Sequence, residues 1–337
     1  MRWSLLLTPL SPAYGAAVRA RACAYRRGWA HVARAPVPVI SVGNLTFGGT
    51  GKTPTTIALV RDLVRAGRRP AVLTRGYGRR DRTPQVVIGP APRSAPELVG
   101  DEPLEMAASL PGVPVVVDAD RARGAAVAVA RGADVLVLDD GFQHLGLARD
   151  LDVVLLDAGD PFGGDRLPPR GRLREPVSAL RRADVVVVTK LAPGDRATLE
   201  SVTSRVHAIH HGLPVLGASL EISRVRTADG AQGPDCLVDR PVVAVAGVAR
   251  PSGFVDILRR AGARVVATRW FADHHVYRPA DLQWMADAAE RHAAVVVTTA
   301  KDAVKLPDDA AWVVDVEMLP TGGSWDALWD LVTQVRT

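Results

Sequence analysis

Lys52 and Thr53 are the residues of this chain whose types and spacing point most directly to chemistry. Three of the four residues before Lys52 are glycine, and a helical pattern, Thr55 to Ala66, follows Pro54. In such loops backbone N–H groups surround phosphate oxygens, the lysine reaches the outer phosphates and the hydroxyl ligates magnesium. The pattern predicts a nucleotide phosphate loop made of Thr46, Phe47, Gly48, Gly49, Thr50, Gly51, Lys52 and Thr53.

One position departs from the usual G-x-x-x-x-G-K-[ST] pattern. The pattern has a glycine five residues before Gly51, where this chain has Thr46. An apolar run, Val37 to Val42, precedes the loop and predicts a buried strand. The order of strand, glycine loop, Lys-Thr and helix favours a phosphate site over a glycine-rich turn without a ligand.

Carboxylates and guanidinium groups at the ends of later strands are candidates to complete this site. The run 135–138 predicts a strand that ends in Asp139 and Asp140. Such a strand delivers a carboxylate beside a phosphate loop, where it holds magnesium directly or through water. The loop 161–176 follows another strand and is rich in arginine, which suits either a phosphate clamp or a solvated basic loop.

Asp101 and the histidines of the segment 271–275 have two interpretations each. Asp101 precedes a predicted helix, where an acidic residue commonly caps the first turn. The alternative is a general base, and the residues alone favour the cap. The sequence Asp-His-His after a strand fits either a structural role or an active-site element.

The elements that must position these groups follow an α/β pattern. Strands and helices alternate from residue 37 to 190, which predicts a parallel, doubly wound sheet. A partly alternating segment, 213–225, leads into a second α/β pattern from 242 to 298. The run 312–316 could pair with 213–225, and a terminal amphipathic helix follows.

Composition limits the classes of protein to which the chain can belong. Its 337 residues, 47% hydrophobic and 23% charged, are enough for two globular domains. Two distant cysteines and no C-x-x-C indicate neither a disulfide framework nor a zinc site. The net charge of +6 comes from arginine, since lysine occurs only at 52, 190, 301 and 305. A nucleic-acid-binding module would rest on that charge alone, because no aromatic-interleaved basic motif is present.

The segment from Ser11 to Val32 has a helical pattern with one apolar side and several arginines. A helix of this kind can lie in a membrane interface, with its arginines near anionic headgroups. The alternative, which the residues alone favour, is a helix packed on the surface of a domain. No apolar run approaches the length of a transmembrane helix.

An ordered series of motifs resembles the tetraacyldisaccharide 4′-kinases of lipid A biosynthesis. The series covers most of the chain, and a threonine at position 46 is ordinary in that family. Its members are GNLTFGGTGKTP (43–54), TRGYGRR (74–80), GDEP (100–103), LDDGFQH (138–144), DAGDPFGG (157–164), LREP (173–176), FADHH (271–275) and KDAVKL (301–306).

The resemblance implies two α/β/α sandwich domains, the first with a P-loop NTPase-type, mostly parallel sheet, joined by a two-stranded β linker. It implies a monomer that lies peripherally on the cytoplasmic face of the bacterial inner membrane. The expected segments are an amphipathic membrane-associating helix in 1–36, a kinase domain in 37–212, linker strands in 213–226 and 311–318, a C-terminal α/β domain in 227–310 and a terminal helix in 319–337 that returns to the first domain.

The resemblance also implies an activity and roles for residues. The activity is Mg²⁺- and ATP-dependent transfer of the γ-phosphate to the 4′-hydroxyl of an acylated glucosamine disaccharide 1-phosphate. By position, Asp101 would be the base that accepts the hydroxyl proton, and His274 would orient or tune it. Lys52 would stabilise the transferred phosphoryl group. Thr53 and Asp139 would bind magnesium, and Asp140 would assist them at the metal site. Arg174 would contact phosphate.

Two departures and one competing class accompany this resemblance. Family members usually carry Glu where this chain has Ala300, and commonly Asn where it has Arg250. Neither position holds an assigned catalytic group. The alternative is a P-loop regulatory ATPase of the partition or metal-insertion type, which shares the GG-x-GKT core. Its signature lysine would fall at Phe47, which argues against it.

Overall fold

The computed structural model describes residues 10–76, 79, 83–89, 96–248, 251–272, 275–322 and 325–334. The strands are β1 Val39–Asn44, β2 Pro70–Thr74, β3 Gln85–Val87, β4 Val115–Val117, β5 Val135–Asp139, β6 Leu151–Asp157, β7 Val185–Thr189, β8 Val215–Thr227, β9 Gly230–Gln232, β10 Pro241–Ala246, β11 Arg264–Trp270, β12 Val295–Thr299 and β13 Trp312–Pro320. The helices are α1 Leu10–Arg26, α2 Lys52–Arg65, α3 Pro96–Val99, α4 Asp101–Ser109, α5 Arg121–Ala130, α6 Arg196–Ile209, α7 Pro251–Arg260, α8 Pro279–His292, α9 Ala300–Ala303 and α10 Asp326–Gln334.

The strands up to β8 form the first half of one sheet, in the order β3-β4-β2-β5-β1-β6-β7-β8. Neighbours are parallel except for β3, which pairs antiparallel with β4. β1 therefore lies between β5 and β6, two strands that end in Asp139 and Asp157. Because parallel strands end at the same edge, both carboxylates are brought to the edge at which the phosphate loop begins.

β8 connects this first half to a second half made of β10–β13. Its residues 215–217 pair parallel with β7, and the rest of the strand continues past β7 and pairs antiparallel with β13. β13, β12, β10 and β11 are parallel to one another, so they run opposite to the first half. The carboxyl end of β12 consequently faces the carboxyl edge of the first half. The predicted α/β class with a two-stranded connection is confirmed.

Helices cover both faces of each half, since the central strands are apolar on both sides. On one face of the first half lie α2, α4 and α10, and on the other α5 and α6. In the second half, α7 and α8 pack on opposite faces. The shared core of α2 and α4 is important for the site, because it packs the helix that begins at Lys52 against the helix that begins at Asp101.

Two helices differ from the bounds predicted by sequence. α2 begins at Lys52 rather than Thr55, because a proline such as Pro54 is tolerated in the first turn, where N–H groups have no intrahelical partner. α1 ends at Arg26 rather than Val32. Gly28 adopts a φ of 72° there, which turns the chain out of the helix.

α1 packs beside the arginine-rich loop. The Ser11 hydroxyl donates to the Leu167 carbonyl (3.1 Å), and the Tyr14 hydroxyl donates to the Arg174 carbonyl (2.9 Å). Among the helices of the described ranges, none has the length and apolar character needed to cross a membrane.

The close approach of β1 to the segment after β5 yields a stability prediction. A Cβ on Gly43 would lie 2.5 Å from the Phe142 Cβ and 2.6 Å from the Phe142 backbone nitrogen. Because a backbone atom cannot move aside cheaply, Gly43→Ala should lower the free energy of unfolding by about 1–3 kcal/mol. Gly253→Ala in α7 is the control: its Cβ meets nothing within 4 Å, and alanine there should be neutral or stabilising by up to about 1 kcal/mol. Chemical denaturation of both variants checks this, and equal stabilities would contradict it.

Candidate active site

Three hydrogen bonds from side chains of the neighbouring strands stabilise the phosphate loop. The Asn44 amide donates to the Thr46 carbonyl (2.8 Å) and to the Thr50 hydroxyl (2.9 Å). The Thr189 hydroxyl, at the end of β7, donates to the Thr50 carbonyl (2.8 Å). All of these residues are buried, so the loop is held in one conformation by strands on both sides of it.

Gly51 joins the loop to α2 and is the position at which glycine is required. Its φ is 83°, a left-handed conformation, and a Cβ there would lie 2.8 Å from the Met318 methyl group. The helix that starts at Lys52 directs its first N–H groups and its positive dipole end at the space in front of the loop. This geometry is that of an anion site.

Lys52 and Arg174 both approach Asp140. The Lys52 ammonium is 3.6 Å from the Asp140 carboxylate. The Arg174 guanidinium donates to both oxygens of Asp140, at 2.7 and 2.9 Å, and to the Gln143 side-chain oxygen at 3.2 Å. Burial disfavours the charge of Asp140, but the two cations outweigh it and hold the pKa of its carboxyl below the ordinary value.

The pKa of Asp139 is shifted in the opposite direction from that of Asp140. It is buried at the end of β5, and the Thr74 hydroxyl donates to its Oδ2 (3.2 Å). Burial, together with the charge of Asp140, raises the pKa of Asp139 to about 6. Its Oδ1 is buried and has no hydrogen-bond partner within the part of the chain that the structure describes. A buried carboxylate oxygen in this state is a strong acceptor for a cation.

The arginine-rich loop runs alongside the phosphate loop. The Phe47 N–H donates to the Arg172 carbonyl and the Arg174 N–H to the Leu45 carbonyl, both at 2.7 Å. The Arg174 guanidinium also lies 5.3 Å from the centre of the Phe47 ring, which is 45% exposed. Arg174 is therefore fixed beside the loop that the sequence predicts to bind phosphate.

Asp101 is not a helix cap, which corrects the interpretation that the residues alone favour. The cap position of α4 is occupied by Gly100, and no side chain caps the helix. Asp101 is the first helical residue, and its carboxylate is buried 3.0 Å from the Lys305 ammonium. The local sequence pattern predicted a cap because Lys305, which contacts Asp101, is distant in the sequence.

His274, predicted to tune Asp101, lies outside the described residues. The next residue, His275, is described: its Nε2 is 3.0 Å from Asp281 Oδ2, and its ring stacks on Phe271 with 4.4 Å between ring centres. Asp281 also accepts the Arg278 N–H at the start of α8. His275 thus has a structural role at the start of that helix.

Sequence reasoning assigned no role to three lysines that the structure brings to this region. Lys190, after β7, donates to Asp157 (2.9 Å) and to the Gly49 carbonyl of the phosphate loop. Lys305 pairs with Asp101, and Lys301 pairs with Glu102 (2.8 Å). The rarity of lysine could have pointed to these positions, because only 4 of the 42 Lys and Arg residues are lysines and the fourth is Lys52. A lysine in an arginine-rich chain indicates a position where the compact ammonium group suits the surroundings better than a planar guanidinium.

Arg121 is another residue to which the sequence analysis assigned no role. It is buried at the start of α5, and its Nη2 donates to the Asp139 carbonyl (3.5 Å). Burial lowers the pKa of Arg121 to about 10, opposed by the charges of Asp139 and Asp140. The guanidinium stays protonated at neutral pH and offsets part of the negative charge behind these two carboxylates.

Glu105, one turn after Asp101 in α4, yields a pH prediction. Burial raises the pKa of Glu105 to about 8; the Lys301 charge opposes this shift and the Glu102 charge adds to it. The folded chain therefore binds more protons than the unfolded chain between about pH 5 and 8, and stability falls as pH rises through that range.

Replacing the Glu105 carboxyl should weaken the dependence of stability on pH. Glu105→Gln should gain about 1–2 kcal/mol relative to the parent chain between pH 5 and pH 8, the gain being limited by solvent screening. The check is urea denaturation at both pH values. Parallel stability curves for parent and variant would contradict the assignment of a raised pKa to Glu105.

Comparisons with known proteins agree with this geometry. A family model described as Tetraacyldisaccharide-1-P 4′-kinase matches residues 3–334. A tetraacyldisaccharide 4′-kinase of Anaeromyxobacter sp. (strain Fw109-5) is 45% identical over 310 residues, covering 90% of this chain and 83% of the relative. One of Chromobacterium violaceum is 41% identical over 326 residues, covering 93% and 89%.

A solved structure supports the same relationship. LpxK from Aquifex aeolicus, in complex with ATP, has a TM-score of 0.79 at 30% sequence identity, and the match covers 99% of both chains. Sequence and fold agree over nearly the whole length, and the chain belongs to the tetraacyldisaccharide 4′-kinase family.

Proposed function

We propose that this chain transfers the γ-phosphate of ATP to the 4′-hydroxyl of a tetraacylated, β-linked glucosamine disaccharide 1-phosphate. Family membership supports the reaction class, and the similar structure from Aquifex aeolicus supports ATP as the donor. The observation that carries the proposal is the position of Asp101. This buried carboxylate starts a helix packed against the phosphate-loop helix, and it faces the second half of the sheet through Lys305.

The nucleotide would be bound by the phosphate loop. N–H groups of residues 46–51 and of the first turn of α2 would donate to the phosphates, a role supported by the bracing of the loop. Lys52 would turn from Asp140 to the transferred phosphoryl group. Its 3.6 Å contact with Asp140 is long for an ion pair, so this movement costs little. Arg174, held beside Phe47, would contact phosphate from the other side.

Magnesium fits the oxygen donors at this edge. Mg²⁺ takes one or two carboxylates and completes its coordination with phosphate and water, and when bound it neutralises phosphate charge. The buried Oδ1 of Asp139 has no hydrogen-bond partner among the described residues, which supports Asp139 as a ligand. The Thr53 hydroxyl at the start of α2 would supply the second protein oxygen. Asp140, paired with Lys52 and Arg174, would orient the ligand set.

The transfer itself needs one proton acceptor. Asp101 would accept the proton of the 4′-hydroxyl while the hydroxyl oxygen forms a bond to the γ-phosphorus. The bond between that phosphorus and the oxygen that bridges it to the β-phosphate would break, and ADP would leave. Lys52 would stabilise the charge on the phosphoryl oxygens. His274, which precedes His275 in the sequence, would orient Asp101.

The acyl chains of the acceptor imply contact with a membrane. We propose that α1 and the residues after it lie at the surface of the inner membrane, on its cytoplasmic face, with the protein a monomer. Trp29 is 73% exposed with the Arg27 guanidinium 5.1 Å from its ring, a pairing suited to a lipid interface. In the same scheme, residues 37–212 and 227–310 act as two domains linked by β8 and β13.

The test of the proposal is phosphate transfer by the purified chain. With ATP, Mg²⁺ and tetraacyldisaccharide 1-phosphate in detergent, we expect a product that carries a new phosphate on O4′, identified by mass and ³¹P spectroscopy. ATP hydrolysis without the glycolipid should be slow by comparison. Strong ATP turnover with no lipid acceptor, and no phosphorylated lipid, would instead indicate a regulatory ATPase.

Asp101→Asn tests the assigned base. The variant keeps the shape of the side chain and removes its basicity, so kcat should fall by at least about 100-fold. ATP affinity, measured by calorimetry, should change less than about 3-fold, because the phosphate loop is untouched. Asp62→Asn, at an acid near the far end of α2 that pairs with Arg65, is the control and should keep parental kcat. A parental rate for Asp101→Asn would remove Asp101 from the mechanism.

A further inference from the structure

Among the described residues of the second half, Lys305 meets the proposed base. Its ammonium lies 3.0 Å from Asp101 Oδ2 and 3.2 Å from Asp302 Oδ1. We propose that Lys305 is a positioning residue for the phosphoryl transfer: from the opposite half of the sheet it holds the Asp101 carboxylate in its reactive place. This inference rests on the proposed function, in which Asp101 is the base.

The lysine is itself fixed by a rigid anchor. Asp302 is fully buried, and its Oδ2 accepts the Thr299 hydroxyl (2.8 Å) and the Gly247 N–H (2.9 Å). Both donors stand at the carboxyl ends of strands, Thr299 in β12 and Gly247 directly after β10. The other oxygen of Asp302, Oδ1, lies 3.2 Å from the Lys305 ammonium. The chain of contacts therefore transmits the position of the second sheet half to Asp101.

The surroundings shield this ion pair from water. The side chains of Lys305 and Asp101 are 7% and 8% exposed, and the Lys305 ammonium lies 5.9 Å from the centre of the Tyr277 ring. Charges removed from water interact more strongly than surface charges, and loss of one partner leaves the other buried and uncompensated. Without Lys305, the Asp101 side chain loses a 3.0 Å contact with the second half of the sheet.

The choice of lysine fits this role. A compact ammonium can touch the carboxylates of Asp101 and Asp302 together, whereas the planar fork of arginine demands more space and a different direction of approach. The neighbouring pair, Lys301 with Glu102, joins the same two halves of the sheet at 2.8 Å. It provides a matched control that separates joining the two halves from placing the base.

The contact also ties placement of the base to the relative position of the two halves. Asp101 starts α4 in the first half, and Lys305 follows α9 in the second. Their 3.0 Å contact therefore depends on both halves of the sheet.

The experiment is a double-mutant cycle with Lys305→Met and Asp101→Asn, measured with ATP, Mg²⁺ and the tetraacyldisaccharide 1-phosphate. In the parent background, Lys305→Met should lower kcat by about 30-fold or more and leave the KM for ATP within about 3-fold. In the Asp101→Asn background, the same change should lower the residual kcat by less than about 3-fold, because a residue that acts through Asp101 has nothing left to position. Lys305→Arg should recover part of the rate, and Lys301→Met should stay within about 5-fold of the parent.

Each outcome bears on the proposal separately from folding. Asp101→Asn/Lys305→Met removes both charges of the buried pair, so its thermal stability should exceed that of Lys305→Met alone. Losses that multiply in the double variant, or a parental kcat for Lys305→Met, would overturn the positioning role. So would equal losses in Lys301→Met and Lys305→Met. A parent chain that phosphorylates no lipid would instead refute the proposed function, and the two failures are thereby distinguished.

Discussion

The antiparallel pairing of β8 with β13 is the constraint on which the site depends. β8 is long enough to pair with β7 at its start and with β13 beyond it, so the second half is placed past the carboxyl edge of the first. The pairing also reverses strand direction, which turns the carboxyl end of β12 back toward the first half. Open α/β sheets place functional groups at their carboxyl edges. Here two such edges face one another, and residues from both meet at Asp101 and Lys305.

Charge is distributed at these edges so that neighbouring carboxylates differ. Asp140 is paired with Lys52 and Arg174, and the pKa of its carboxyl is lowered. Asp139, one residue earlier and buried, has its pKa raised to about 6 and keeps an oxygen without a hydrogen bond in the described structure. The surroundings of two adjacent acids therefore shift their pKa values in opposite directions.

The elements near the phosphate loop could be predicted from sequence because their signals are local. Lys52 and Thr53 lie within a few residues of the glycines and the strand that place them, and Asp139 ends an unmistakable apolar strand. The contact between Asp101 and Lys305 could not be predicted in this way. The immediate neighbours of Asp101 suggest a helix cap, and its partner Lys305 is near the other end of the chain. Only the reversal at β8 and β13 brings the two together, and no periodicity encodes that contact. The scarcity of lysine was the one compositional signal.

In the proposed arrangement, both carboxyl edges build one ligand site. Hydrogen exchange of the backbone amides, read by mass spectrometry on the full chain, is the measurement that tests this arrangement. With ATP and Mg²⁺ alone, slower exchange should appear in peptides that contain residues 45–53, Asp139 or Arg174, and not in 100–104 or 299–306. Addition of the tetraacyldisaccharide 1-phosphate should then slow exchange in 100–104 and in 299–306 together. Protection by the acceptor of only one of these two segments, or of neither, would contradict the account.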